Sequence, residues 1–205
     1  MLSGLIQGNV IPEQWGSPAR PADFFDLKAD VEALLALAGD PDAYRFVADT
    51  HPALHPGQAA RVERDGATVG WLGQIHPRLE KSLDIGKKTY VFELSLGALG
   101  ARRIPAFSPV SRFPAIRRDL AVVVDREVSF GRLKTCVREA APSIVRDIRL
   151  FDVYTGENIE SNRKSLALGL ILQDSSRTLT DDDVNEATAA VLETLQKELD
   201  AKLRE

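Results

Sequence analysis

The chain of 205 residues, 44% hydrophobic and 27% charged, is long enough to bury a sizeable core and suits one large or two small domains. Its formal net charge of −4 excludes the globally basic field that announces many nucleic-acid binders. No apolar run approaches the ~18 residues needed to cross a membrane, the start lacks a basic segment and a cleavage site, and the lone Cys136 excludes an internal disulfide. A reducing, cytoplasmic location without membrane attachment is expected.

The first residues, "LSGLIQG", read as a strand that begins at once, and Met1 is the only methionine, which suggests a piece of a longer chain. After a proline-containing loop, "DFFDLKADVEALLALAG" spaces Phe24, Leu27, Val31, Leu34, Leu35 and Ala38 as one helical stripe. Asp23 or Asp26 can cap its start and Gly39 its end. "YRFVAD" is strand-like. Asp65 and Gly66 sit between two alternating runs, a strong hairpin signal. A short helix opening at Pro77 and the strand "TYVFELSL" follow, giving the first part a helix and an antiparallel sheet.

In "RRIPAFSPVSRFPAIRR", Pro105, Pro109 and Pro114 interrupt any period, which predicts a linker and a domain boundary near Ala106. Beyond it come strand "RDLAVVVD", helix "SFGRLKTCVREAA", strands "VRDIRLFDVY" and "KSLALGLILQ", a long helix from Asp181, and a last short strand in "KLRE". Thr180 and Asp183 form a capping-box pattern ahead of Val184, Ala187, Val191, Leu195 and Leu199. This order predicts the ferredoxin-like βαββαβ arrangement, with both helices on one face of a four-stranded sheet.

Side chains alternate across a strand, so Leu166, Leu168, Leu170 and Leu172 must face those helices. The other face then carries only Ser165, Ala167 and Gly169 on that strand, flanked by Ala121, Val123, Asp152 and Tyr154, while Phe151 and Val153 point inward. An exposed Tyr154 ring beside small residues is either an ordinary half-exposed strand pair or a place where a flat base can stack.

Other groupings are expected to be structural. His51, His55 and His76 each precede proline and suit turns rather than a metal site. Cys136 reads as a small core residue and Trp15 and Trp71 as packing anchors. The acidic run Asp181 to Asp183 suits a helix N-terminus. Arg112, Arg117 and Arg118 form either a solvated surface or a patch contacting phosphates. Neither a catalytic grouping nor a glycine-rich phosphate loop emerges.

The stretches "SRFPAIRRDLAVVVD", "LFDVYTGE", "KSLALGLILQDSSRTLTDDDV" and the closing "LR" closely resemble the C-terminal anticodon-binding domain of the bacterial phenylalanine–tRNA ligase beta-subunit family. "DFFDLKADVEALL", "HPALHPGQAA", "VGWLGQIHP" and "YVFEL" resemble the end of that subunit's catalytic-like module. The resemblance implies an α+β chain. Residues 1–105 form the last part of a non-catalytic, class II synthetase-like antiparallel module, and residues 106–205 form the ferredoxin-like anticodon-binding domain.

By motif position the resemblance puts contacts to the first anticodon base on Ala121, Asp152, Tyr154, Ser165 and Arg204, four of them on the face already derived from alternation. It further implies phenylalanine tRNA and an alpha subunit, in an (αβ)2 assembly, as partners. In the family ATP and Mg2+ serve activation by the alpha subunit. No catalytic residue, metal or cofactor is expected in this chain. A ferredoxin-like small-molecule regulatory module is the alternative left by fold alone.

Overall fold

The computed structural model describes residues 1–37, 41–100, 107, 110–141 and 143–204. The chain divides into two compact units, Met1–Phe107 and Ser108–Glu205. Ala38, Gly39, Pro105, Ala106 and Pro109, on which the expected helix end, linker and boundary fall, lie outside the described residues.

The first unit runs β1 (Leu2–Gln7), α1 (Phe24–Ala36), β2 (Tyr44–Ala48), β3 (Leu54–Arg64), β4 (Ala67–Ile75), α2 (Pro77–Ser82), β5 (Thr89–Leu94) and α3 (Leu96–Gly100). Its strands form one antiparallel sheet in the order β1-β5-β4-β3-β2. Helix α1 starts where its sequence supplies a capping box: Asp23 accepts the Asp26 amide, and the Asp26 carboxylate accepts the Asp23 amide at 2.7 Å. Hydrogen bonding from Arg20 holds the Asp26 carboxyl below the usual range. Leu27, Val31 and Leu35 bury one helix face against Val62, Leu72, Tyr90 and Leu94 of the sheet.

Asp65 (φ 52°) and Gly66 (φ 77°) both sit in the left-handed region, as a tight two-residue hairpin requires. Each pre-proline histidine accepts an amide two residues onward through Nδ1: His51 from Ala53, His55 from Gly57 and His76 from Arg78, at 3.2, 3.0 and 3.1 Å. These are turn and capping roles, as expected. Trp15 is not a packing anchor. The loop bearing it closes at its base, Val10 N–H to Arg20 O and Ala22 N–H to Gly8 O, and leaves the indole at the tip fully exposed. Trp71 is half-buried, its ring 5.0 Å from that of His51. The short α3 was not anticipated, its five residues being too few to show a period.

The second unit runs β6 (Ile116–Asp125), α4 (Phe130–Ala140), β7 (Val145–Tyr154), β8 (Arg163–Leu172), α5 (Asp181–Leu199) and β9 (Lys202–Leu203). The antiparallel sheet has the order β7-β8-β6-β9, and the molecule is therefore α+β with a ferredoxin-like βαββαβ unit. Leu166, Leu168, Leu170 and Leu172 are buried with Leu120, Val122 and Val124 under Leu133, Cys136 and Val137 of α4 and Val184, Val191 and Leu195 of α5. Burial of this many branched side chains on one face fixes the register, because a one-residue slip would turn the leucines into water. Thr180 and Asp183 complete the expected capping box.

The chain leaves α5 through Asp200, which adopts the left-handed region at φ 48°. Arg163 at the start of β8 holds this reversal: its guanidinium pairs with the Asp200 carboxylate at 2.9 Å and donates to the carbonyls of Val123 and Asp200. The Arg163 side chain is only 10% exposed, so its charge is spent inside this clamp. The return places β9 against Val122 and Val123, and the Arg204 amide donates to the Ala121 carbonyl at 2.8 Å.

Candidate nucleic-acid interface

The face of the second sheet opposite its helices is organised in cross-strand rows. One row reads Asp152, Ala167, Ala121, and the next reads Tyr154, Ser165, Val123. Since directly opposed residues share a face, four of the sequence-predicted residues meet on adjacent rows of three strands. Arg204 joins them from the β9 side, its guanidinium carbon 4.7 Å from the centre of the Tyr154 ring. A cation over a ring face is attracted by the ring quadrupole and keeps its N–H donors. Among the described residues Arg204 makes no ion pair.

Tyr154 is fixed from the other side as well. Its hydroxyl donates to the Glu157 carbonyl at 3.3 Å, and it lies so close to Gly156 that a Cβ there would come within 2.3 Å of the oxygen. Glycine at 156 is thus a steric condition for the ring's position. Asp152 is exposed at one end of its row, and Ala121 and Ala167 are half-buried beside it. The arrangement offers an acceptor-only carboxylate, a donor-only guanidinium, a ring and a shallow alanine floor, which together suit a planar group with polar edges.

Four expectations need correction, the first being Val153, which opposes the buried Leu166 as expected for the helix side yet is 51% exposed. Ser165 lies on the predicted face but is 3% exposed, because Tyr154 and Val123 flank it in register and Arg204 reaches across to the Tyr154 ring. Gly169 is not bare either: a Cβ on it would meet Arg117 Nε at 3.1 Å and Asp119 Oδ1 at 3.2 Å, so the sheet's own side chains use much of that space. Phe151 does not point inward. A β-bulge between Leu150 and Asp152 adds one residue to β7, and Phe151 emerges 54% exposed with the Arg117 guanidinium 5.3 Å from its ring.

The arginine cluster is divided by the same alternation. Arg117 lies on the open face with Asp119, to which its Nε donates at 2.7 Å, whereas Arg118 opposes the buried Leu170 and so belongs to the helix side. Arg112 is exposed upstream of β6. Sequence reasoning missed Phe151 and Gly156. Only the position of the glycine two residues after Tyr154 could have hinted at the second, and nothing in the period of "LFDVY" marks a bulge. Among the described residues no group of three or more His, Cys, Asp or Glu is placed to hold a metal ion, and no helix is long and apolar enough to cross a membrane.

The fold and this face define a ferredoxin-fold anticodon-binding domain, and residues 111–204 match the family model of that description, "Ferredoxin-fold anticodon binding domain". Residues 1–96 match "Phenylalanyl tRNA synthetase beta chain CLM domain". The whole chain is 51% identical over 204 residues to the phenylalanine–tRNA ligase beta subunit of Pseudomonas fluorescens, and 49% and 46% identical to those of Nitrosococcus oceani and Methylococcus capsulatus. Each alignment covers 100% of this chain and 26% of the relative. The chain belongs to the phenylalanine–tRNA ligase beta-subunit family and spans about a quarter of the length of the curated relatives it matches. This membership does not favour the small-molecule regulatory alternative.

Proposed function

We propose that residues 106–205 form the anticodon-binding domain, and that the second unit within them takes the first anticodon base of phenylalanine tRNA on its open sheet face, with Tyr154 stacking on the base. The observation that supports this most is the half-exposed Tyr154 ring, held by Gly156 and Glu157 and carrying, beside an alanine floor, an Arg204 that makes no ion pair among the described residues. Asp152 accepts from a donor on the base edge, Ala121 contacts the base from below, and Arg204 donates to an acceptor or to a phosphate. Ser165 meets the base only when Arg204 moves off the ring, since its hydroxyl lies beneath these neighbours. Arg117 and Arg112 are the candidates for phosphate contacts, while Arg118, on the other face, is the weakest of the three.

Residues 1–105 act in this reading as a non-catalytic scaffold related to the class II synthetase module. Activation of phenylalanine with ATP and Mg2+ belongs to the alpha subunit, with which the full beta subunit assembles as (αβ)2 in the cytoplasm. This chain supplies recognition and positioning to aminoacylation. The test is binding of an RNA hairpin bearing the phenylalanine anticodon loop. Tyr154→Ala should weaken it by about 1–3 kcal/mol, the usual cost of losing one base–aromatic stack, and Tyr154→Phe should keep most of the affinity. Unchanged binding by Tyr154→Ala overturns the reading.

A further inference from the structure

The open face carries a second ring and cation pair that the first-base reading leaves unused. Strict alternation along β7 would send Phe151 to the side away from Asp152 and Tyr154, yet the bulge re-aims it onto their face. Arg117 starts on β6, crosses β8 above Gly169, and sets its guanidinium over the Phe151 ring on β7. A side chain at 169 would crowd that crossing, as a Cβ there would already lie 3.1 Å from Arg117 Nε. Arg204 and Tyr154 repeat the plan two rows away, again with the cation on the β6–β9 side and the ring on β7. Between the two pairs lie Ala121 and Ala167.

Phe151 leaves more than half its surface in water while adjoining a packed core, so an aromatic residue here gains little from folding. Its face and the terminal N–H groups of Arg117, whose Nε alone is bound to Asp119 at 2.7 Å, suit one more unpaired base and the phosphate joined to it. Phe151 and Tyr154 are three residues apart, but the bulge takes up one of them, so they stand between two and three register steps apart, about 7–9 Å at ~3.3 Å per step, against a rise of ~3.4 Å between stacked neighbours in a nucleic-acid strand. Two bases held by these rings cannot stack on each other and must be splayed, the geometry in which loop nucleotides present their faces to protein.

We propose that Phe151, re-aimed by the bulge and capped by Arg117, is a second nucleobase subsite that takes a nucleotide flanking the one on Tyr154. The proposal rests on the reading of this face as the anticodon-binding surface. Each ring takes one base of a continuous single strand, and Arg117 meets the phosphate between or beside them.

The test uses the full 205-residue chain and a fluorescently labelled hairpin with the phenylalanine anticodon loop, intact or made abasic at the first anticodon position or at either flanking nucleotide. Phe151→Ala should bind the intact hairpin about 5- to 150-fold more weakly, the range expected for one stacked base, with Phe151→Tyr close to wild type. The Phe151→Ala penalty should vanish on one of the two flank-abasic hairpins and persist on the hairpin abasic at the first anticodon position. Independently of how any variant folds, the wild-type chain should lose a similar factor on that same flank-abasic hairpin. Wild-type affinity for Phe151→Ala on the intact hairpin, an equal penalty on every abasic hairpin, or no loss by the wild-type chain on either flank-abasic hairpin overturns the second subsite. If Tyr154→Ala still weakens binding in those cases, the first-base reading survives alone. If Tyr154→Ala also binds normally, or the wild-type chain does not bind the hairpin, both fail together.

Discussion

Arg61 on β3 and Arg204 beyond β9 occupy comparable places, each on the face of an antiparallel sheet turned away from that sheet's buried leucines and valines. Their partners differ. Arg61 is gripped by two carboxylates, Asp49 at 2.9 Å and Glu63 at 2.6 Å, and its register neighbour Trp71 packs beside His51. Arg204 rests on the Tyr154 ring and, among the described residues, pairs with no acid. Carboxylates consume both the charge and the donors of a guanidinium, whereas a ring consumes neither. The first sheet therefore ties this cation down on its own second face, whereas the second sheet, though it holds Arg117 on Asp119 and Arg149 on Asp147, leaves Arg204 to an anionic, planar partner. The net charge of −4 conceals this because it averages over both faces and both units.

If the two sheets are separate structural units, damage to one core should not pass to the other, and this is where the largest effect is expected. Leu168 in β8 and Leu72 in β4 are both fully buried, so truncation of either to alanine should cost about 2–5 kcal/mol. Both tryptophans, Trp15 and Trp71, lie in the first unit. Urea unfolding of Leu168→Ala should therefore shift the far-ultraviolet circular dichroism transition and leave the tryptophan fluorescence transition in place. Leu72→Ala should move the fluorescence transition. Joint movement of both signals in both variants would break the comparison.

How far the sequence announced these two faces differs from element to element. The leucine alternation of β8, a cap from Asp23 or Asp26, the capping box at Thr180, and the Asp65–Gly66 turn were legible because each is decided by residues within a few positions of one another, though the reciprocal Asp23–Asp26 box was not foreseen. Tyr154, Ala121 and Asp152 were placed on the open face by parity alone. Phe151 was misplaced because a bulge changes parity without changing composition, and its position depends on the pairing of β7 with β8. Ser165 was placed on the right face but judged exposed, since its cover comes from Tyr154, Val123 and Arg204, residues 11, 42 and 39 positions away in the sequence. The Arg163 clamp on Asp200 was equally invisible: a lone arginine before a strand carries no pattern.

That clamp links the stability of the second unit to its open face. Arg163→Ala removes a nearly buried guanidinium and its hydrogen bonds to Asp200 and Val123, a loss of about 1.5–3 kcal/mol for bonds to a charged group. It also frees the reversal that sets β9 and hence Arg204. Urea unfolding and hairpin binding should both weaken, and Arg163→Lys should not restore binding fully because an ammonium lacks the fork that spans both partners. Weakened stability with normal binding would show that Arg204 finds Tyr154 without the clamp.

A smaller effect sharpens the contrast between the two arginines directly. Arg204→Ala should leave unfolding within about 0.5 kcal/mol of wild type, as for most exposed substitutions, while weakening hairpin binding. It should reduce the salt dependence of binding by about one unit of slope if the guanidinium meets a phosphate. Arg61→Ala should do the reverse, lowering the stability of the first unit by up to about 1 kcal/mol, because Asp49 and Glu63 are left facing each other, with hairpin binding unchanged. If the two variants behave alike, partner chemistry does not separate the faces.

The smallest effect is expected at the start of α5, where the second unit uses an arginine as the first sheet does, locked on a carboxylate. Arg177 pairs with Asp183 at 2.6 Å, and the Asp183 carboxylate also accepts the Thr180 amide at 2.8 Å. Hydrogen bonding from Arg177 is the largest cause of a carboxyl pKa held well below the usual range, with the Thr180 amide next. A carboxylate whose folded pKa is depressed adds stability that is fully present above its unfolded value, near ~3.9, and is lost as the pH falls through the folded value. Asp183→Asn should therefore be less stable than wild type at neutral pH, and the gap should close only below about pH 4, as acid protonates the wild-type carboxylate. Urea midpoints of both proteins between neutral pH and strong acid measure this. A gap that stays constant through the acid range would mean the carboxylate acts by shape rather than charge, and the ionic lock at α5 would then differ in kind from the one at Arg61.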